Sequence, residues 1–400
     1  MHPGVSPFLQ DVARRAWGYF RDTAHPATGL IPDRARADGS GVGSVASMAA
    51  TGFGLTSWAI GAQRGWMSRQ ECTRRVRKTL DFLLHGTPHH AGCFYHFVDA
   101  AGGQRVWQCE VSTIDTALLL AGVITVRAAF SDDLVLTRAC DQLAQRIDWT
   151  AFLTSAGVLS HGWKPETGPL PWSWSHFSEH LLLTLLAIGS PTHPVPAETW
   201  NRWKRSPWVD FGGYRFLHHP PLFVHQFPHA WFDFRGLRDG TIDYWQNSVD
   251  ATHAHRLWCQ TLREEFSSWS ETDWGITSSD GINGYTDWGG PPVDPSQGRD
   301  PRIDGTLVPC AAAGSLCFTP RESEQTLEEF QRRFGSRLYG RYGFADAFNP
   351  ETNWIAPDCL GIDQGITLLM IENLRDGLVW KLFMASSEAR TALHRINLAS

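Results

Sequence analysis

The residues best placed for chemistry are carboxylates set among aromatic rings. In the stretch WSWSHFSEHLLLTLLAIGSPTHPVP (172–196), Trp172, Trp174 and Phe177 lead into one acid, Glu179, and an apolar run follows it. The run LLLTLLAI (181–188) has no Gly or Pro to interrupt it, which predicts a helix over 176–188 buried on most sides. On that helix Leu182, Leu183 and Leu186 follow Glu179 at i+3, i+4 and i+7, so the carboxyl shares their face. Partial desolvation there favours the neutral acid and raises its pKa. A general acid working near neutral pH needs that shift. Exposed indole faces at Trp172 and Trp174 beside the acid suit the flat apolar faces of sugar rings. The competing reading is a buried glutamate satisfied by a neighbouring Arg or His.

Other acids share this ambiguity. CEVSTIDTALLLAG (109–122) sets Glu110 and Asp115 on either side of a helix start. Ser112 and Asp115 fit the S-x-x-D capping pattern, so Asp115 stands between capping and chemistry, whereas no cap explains Glu110. YGFADAFNPETNWIAPDCLGIDQG (342–365) offers Asp346, Asp358 and Asp363. Asp363 precedes ITLLMIENL, where it could cap a helix or serve as a base whose pKa the helix N-terminus lowers. Glu372, inside that helix and near Arg375, reads as a structural buried acid. The 17 His include His218, His219, His225 and His229 in a Pro-rich loop, without the spacing of metal ligands, so no metal is expected. No dinucleotide fingerprint, P-loop or nucleophile elbow occurs, and no cofactor is expected. Acids with aromatics in a helical cleft are the combination used on glycosidic bonds.

The elements that must position these groups are mostly helical. Helices are predicted over 8–22, 44–63, 68–85, 113–130, 134–147, 176–188, 243–268, 323–335 and 364–375, with a hairpin pairing 93–99 with 105–111. Ser68 with Glu71 reads as a capping box. A loop at 271–320, rich in Gly and Pro and carrying Trp274 and Trp288, is expected to line a site. This pattern, without βαβ alternation, predicts an all-α barrel of paired inner and outer helices with long loops lining a cleft. No linker interrupts the 400 residues, so one catalytic domain over 1–400 is expected. At 42% hydrophobic the chain can bury a large core, and a net charge of −6 disfavours nucleic acid and anionic membranes. No segment reaches the ~18 apolar residues of a membrane span. The eight scattered Cys read as reduced, buried thiols. No leader is read in MHPGVSPFLQDVARRAWGYF, which places the chain as written in the cytoplasm, or in the periplasm if a leader was removed.

Several blocks of the chain resemble the glucoamylase-like family, which includes the endo-β-1,2-glucanases of glycoside hydrolase family 144. They are GLIPDR (29–34), ATGFGL (50–55), RGWMSR (64–69), CFYHF (93–97), EVSTIDTALLLAG (110–122), HGWKPE (161–166), the Glu179 segment with GSPTHP (189–194), DGT (304–306), YGFADAFN (342–349), IDQG (362–365) and IENLRDGLVW (371–380). They run in order over about residues 15–385. The resemblance implies an (α/α)6 barrel, without cofactor, that cleaves linear β-1,2-glucan internally with inversion. It implies Glu179 as general acid and Asp363 as base, and substrate contacts at Asp33, Arg34, Glu110, Asp115, Trp172, Trp174, His193 and Tyr342. A monomer whose partner is β-1,2-glucan or its oligosaccharides is expected. Phe177 and Ser178 stand where relatives generally read Tyr and Asn, so subsite preference is expected to differ. A retaining β-1,2-glucan transglycosylase and a silent glucan-binding protein remain the alternatives.

Overall fold

The computed structural model describes residues 4–240, 242–294 and 298–398. Residues 1–3 of the N-terminal stretch and 295–297 of the long loop therefore lie outside the described residues. Thirteen α-helices occur among the described residues: α1 (Pro7–Thr23), α2 (Met48–Gln63), α3 (Arg69–His85), α4 (Thr113–Ala129), α5 (Leu134–Arg146), α6 (His180–Ile188), α7 (Phe227–Trp231), α8 (Tyr244–Leu262), α9 (Pro309–Ala313), α10 (Pro320–Phe334), α11 (Gly361–Asp376), α12 (Leu378–Met384) and α13 (Ser387–Arg395). The β-structure is confined to short ribbons of two to four residues per strand.

The helices divide into two kinds by what they bury. All nine residues of α6 are buried, and so is α4 from Thr113 to Val126 with Ile114 as its one exception. In α11 the run Gly361–Asn373 is buried except for Ile362, and α2 is buried from Met48 to Gly61. Helices apolar all round must sit inside other helices. By contrast, α3 buries one stripe, Cys72, Val76, Thr79, Leu80 and Leu83, and α5 one stripe of Leu136, Cys140, Leu143 and Ala144. These striped helices pack outside: α3 against α2 and α5, α5 against α4, α13 against α6, and α1 against α11. The result is helix-rich and two-layered, the architecture of an α/α-barrel type.

Close approach of the inner helices depends on glycine. At the α2–α4 crossing, a Cβ on Gly122 would stand 2.1 Å from the Gly52 carbonyl oxygen, and one on Gly52 would stand 2.3 Å from that of Leu118. The expectation that 44–63 packs tightly against its neighbours rests on these small residues.

Several predicted elements are present as read. Ser68 caps α3, its hydroxyl accepting the Glu71 N–H at 3.2 Å, although the Glu71 carboxylate turns to Arg74 and Arg75 instead of completing a box. Other elements differ. The predicted helix 176–188 begins only at His180, because His176 bridges Lys204 and keeps the preceding chain extended. The predicted hairpin is present through antiparallel bridges at Tyr95–Val111 and Val98–Arg105 and the His96 N–H bond to the Glu110 carbonyl. Its strands pair more regularly with distant ones: Phe97–Asp99 joins Val45–Ser47, and Val111–Ser112 joins Gly162–Lys164. Helix 243–268 ends at Leu262. The loop at 271–320 contains a hairpin (Ser279–Gly281 with Gly284–Thr286) and α9, and its Trp274 and Trp288 are core residues. The eight thiols are free, all buried but Cys317. No helix among the described residues is long and apolar enough to cross a membrane.

Candidate active site

The two exceptions on the inner helices, Ile114 and Ile362, face the same place. Both line a cavity of about 410 Å³, together with Ser47 and Ala49 at the start of α2, Asp115 and Leu118 on α4, Glu179 before α6, and Phe227 at the start of α7. Five helix N-termini therefore meet there. Their dipoles favour negative charge at the cavity. The sequence supplies it, with Asp33, Asp115 and Glu179 in the wall.

Glu179 is the N-cap residue of α6, not a member of its apolar face, and its side chain makes no capping hydrogen bond. It forms no ion pair among the described residues. Burial, followed by repulsion from Asp115 and Asp287, pushes its carboxyl up to about 7. The expected upward shift is present, but it comes from enclosure at a helix start and not from the leucine stripe.

Opposite charges are arranged around His96, a residue the sequence reading passed over. Its Nδ1 meets Glu110 Oε1 at 3.1 Å and its Nε2 meets Asp115 Oδ1 at 3.4 Å. Burial alone would lower its pKa, but Asp115 and Glu110 together raise it, which favours the imidazolium. The hydrogen bond from His96 in turn holds Glu110 at about 2. Burial keeps Asp115 above its ordinary value despite His96 and the Ser112 hydroxyl. Asp115 thus does both things the sequence allowed: it closes the Ser112 cap and it faces the cavity. On another wall Arg34 donates to Asp33 at 3.1 Å and to Asp280 at 2.8 Å.

Two exposed rings complete the cavity. Trp107 is 67% exposed and Tyr285, on the hairpin of the long loop, 56%. Trp107 and Gln108 both hold left-handed backbone angles, φ 54° and 50°, which cost energy in non-glycine residues. The Arg105 guanidinium fastens this bend by donating to the Gln108 and Cys109 carbonyls. The strain presents Trp107 to the cavity, where it also packs edge-on against Phe97 at 5.1 Å.

Asp363 lies just behind the wall, one residue past Ile362. It neither caps α11 nor has a lowered pKa, contrary to expectation. The N-cap is Leu360, and Asp363 sits in the first turn, buried. Burial outweighs the helix dipole and pushes its carboxyl up to about 7, while hydrogen bonds from Asp346 and the Cys310 thiol oppose that rise. Its Oδ2 finds no N–H or hydroxyl donor among the described residues. Its charge adds to burial in raising the pKa of the Tyr285 hydroxyl.

Of the residues expected to bind substrate, Asp33, Arg34 and Asp115 line the cavity, and Glu110 supports it through His96. Trp172, Trp174, His193 and Tyr342 do not line it. Trp172 projects outward, 64% exposed. Trp174 stacks on His161 at 3.9 Å and donates from Nε1 to Thr113, so its ring is committed to packing. His193 meets Thr192 in an exposed turn, and Tyr342 is buried against Tyr19. The missed residues are His96, Phe97 and Trp107, from one stretch of chain, and Tyr285, from a hairpin far along it. Only the CFYHF block and the length of the 271–320 loop pointed towards any of them.

Comparison with known proteins follows this geometry. Residues 171–387 match the family described as "Putative glucoamylase". A curated relative from Parabacteroides distasonis, an exo β-1,2-glucooligosaccharide sophorohydrolase acting at the non-reducing end, is 26% identical over 444 aligned residues. That alignment takes in 99% of this chain but only 58% of the relative. The endo-β-1,2-glucanase of Chitinophaga pinensis, solved with sophorotriose and glucose, superposes with a TM-score of 0.88 at 26% identity over 97% of both chains. A putative glucoamylase of Bacteroides uniformis gives 0.88 at 27% identity over 98% of each. The endo-β-1,2-glucanase of Talaromyces funiculosus shares the fold at a TM-score of 0.72, with 13% identity over 99% of this chain and 90% of that one.

Proposed function

The chain belongs to this glucoamylase-like family, and on that premise we propose that it is a glycoside hydrolase that cleaves linear β-1,2-glucan internally, with inversion. The observation that carries the reading is Glu179: a carboxyl with a pKa near 7 and no ion pair among the described residues, in the wall of an aromatic-lined cavity. Residues 1–400 act as one catalytic domain, with the helices closing as an (α/α)6 barrel. One apolar cluster that runs from Leu9 to Leu398 supports the single domain.

Each part has a role set by its chemistry. Phe97, Trp107, Phe223 and Tyr285 offer apolar faces to the sugar rings, and Asp33, Arg34, His96 and Asp115 offer fixed donors and acceptors to the hydroxyls. Glu179, protonated up to about pH 7, donates to the glycosidic oxygen as the bond breaks. Asp363 takes a proton from the attacking water on the opposite face of the sugar ring. Its place next to Ile362 of the cavity wall supports this choice.

Incubation with linear β-1,2-glucan tests the proposal. β-1,2-linked oligosaccharides of mixed length accumulate, first released as the α-anomer, while laminarin, cellulose and starch stay intact. Release of sophorose alone from the non-reducing end would replace the endo assignment with the exo mode named for the Parabacteroides relative. A first-formed β-anomer would replace inversion with retention. Comparable rates on laminarin or starch would discard the substrate.

A further inference from the structure

We propose that Asp346 and Asp363 share one proton at neutral pH, carried on Asp346, and that Asp346 is thereby the positioning residue of the catalytic base. The inference rests on the base role proposed above for Asp363.

Both carboxyls are buried, at 1% and 5% exposure, and they lie within hydrogen-bonding reach of each other. Asp346 Oδ2 accepts the Asp280 N–H at 2.8 Å. The oxygens left over, Asp346 Oδ1 and Asp363 Oδ2, find no other donor among the described residues. Two acceptors in contact without a proton would repel each other.

Among the described residues no cation pairs with either carboxyl to relieve that repulsion. The groups facing the pair are Asp280 on the hairpin, Asp33 after α1, the Tyr285 hydroxyl, and the thiols of Cys310 and Cys359. Arg34, the nearby guanidinium, is engaged by Asp33 and Asp280. A buried pair with negative neighbours and no cation of its own keeps one proton between its oxygens.

The place of each carboxyl in the fold decides which one carries it. Asp363 sits in the first turn of α11, where the helix N-terminus favours its ionised form, and it also receives the Cys310 thiol. Asp346 has one oxygen committed to Asp280 N–H, so its free Oδ1 carries the proton and donates it to Asp363. Burial accordingly pushes Asp346 well above the ordinary carboxyl range, whereas Asp363 remains titratable near 7. Asp346 thus aims the base and supports its charge without touching substrate.

An asparagine can reproduce both contacts: its carbonyl accepts Asp280 N–H and its amide N–H donates to Asp363. Asp346→Asn is therefore expected to keep kcat within about tenfold of the native enzyme, while Asp346→Leu loses at least ~10²-fold. The acidic limb of the kcat/KM profile moves to higher pH in Asp346→Leu, and by less in Asp346→Asn. A collapse of Asp346→Asn to the level of Asp363→Asn, with a native melting temperature, would overturn the proposal by making the Asp346 charge essential. A second readout does not depend on turnover. At about pH 8, a unit above the Asp363 value of about 7, the infrared difference spectrum between the native protein and Asp346→Asn contains the carbonyl band of a protonated carboxyl. Absence of that band refutes the shared proton, whatever the activities. Its presence alongside full activity in Asp363→Asn would instead refute the base role and leave the pair standing.

Discussion

Helix α11 carries a buried carboxyl near each end, and the two are supported in opposite ways. Glu372, fully buried, receives Arg64 Nε at 2.5 Å and Arg375 at 3.5 Å. Asp363, nearly as buried, receives a thiol and a second carboxyl, and no ion pair among the described residues. Burial raises both pKa values, but at Glu372 two guanidiniums oppose the rise and fix the carboxylate as part of the scaffold. Arg64 caps the C-terminal end of α2, so that ion pair also ties α2 to α11. A carboxyl without a cation is left with a soft proton near neutral pH. Glu179, at the start of α6, belongs with Asp363 in this respect. Glu372, with its cations, ties helices together, whereas Glu179 and Asp363, without them, stand at the cavity.

The largest expected effect separates the two ends by activity. Glu179→Gln and Asp363→Asn each lower kcat by at least ~10²-fold while the fold persists. Glu372→Gln does the reverse, lowering the unfolding free energy by roughly 3 kcal/mol because Arg375 loses its carboxylate while Arg64 keeps only Asp376, with kcat near native in the folded fraction. Chemical denaturation and steady-state kinetics on the three variants measure both quantities. A dead but stable Glu372→Gln would break the comparison.

Stability against pH sharpens it further. The Glu179 carboxyl rises from an ordinary 4.5 to about 7 on folding, so the folded state holds its proton more tightly than the unfolded chain. The protonated group imposes no penalty below pH 4.5, and the cost of ionisation grows with rising pH until it is full above about 7. Glu179→Gln removes that cost. It is expected to be more stable than the native protein at pH 8 by on the order of 1–3 kcal/mol, with the advantage gone by about pH 4. A constant difference across pH would mean that Glu179 ionises as freely in the folded protein as in the unfolded one.

Much of this scaffold was legible in the sequence, because helix faces and caps are local. The apolar run after Glu179, the Ser68 cap and the Ser112–Asp115 pair all follow from residues within a turn of one another. The cavity was less legible. Trp174 is next to the acid in sequence, but its indole turns to His161 and Thr113, a direction that spacing does not encode. His96 became visible only when folding placed Glu110 and Asp115 on its two nitrogens. The Asp363 error has the same origin: a helix start predicted a lowered pKa, but burial by distant elements proved the larger effect.

Smaller effects concern how the two soft carboxyls work together. Activity needs Glu179 protonated and Asp363 ionised, both near 7, so kcat/KM falls as pH drops through the Asp363 value and as it rises through that of Glu179. The profile is expected to be a narrow bell centred near neutrality, and a flat plateau from pH 5 to 9 would contradict the pairing. Smaller again is the effect of the rim. Trp107→Ala removes one stacking face and is expected to raise KM by about 5-fold with kcat nearly kept, a loss of ~1 kcal/mol.

The division of labour between Glu179 and Asp363 is tested most directly by a substrate whose leaving group needs no proton. A dinitrophenyl β-sophoroside expels a stabilised phenolate, so loss of the acid should matter little while loss of the base matters in full. The account predicts that Glu179→Gln recovers to within about tenfold of native kcat/KM on this substrate while remaining at least ~10²-fold impaired on β-1,2-glucan, and that Asp363→Asn stays impaired on both. Equal impairment of Glu179→Gln on both substrates would contradict its role as the proton donor.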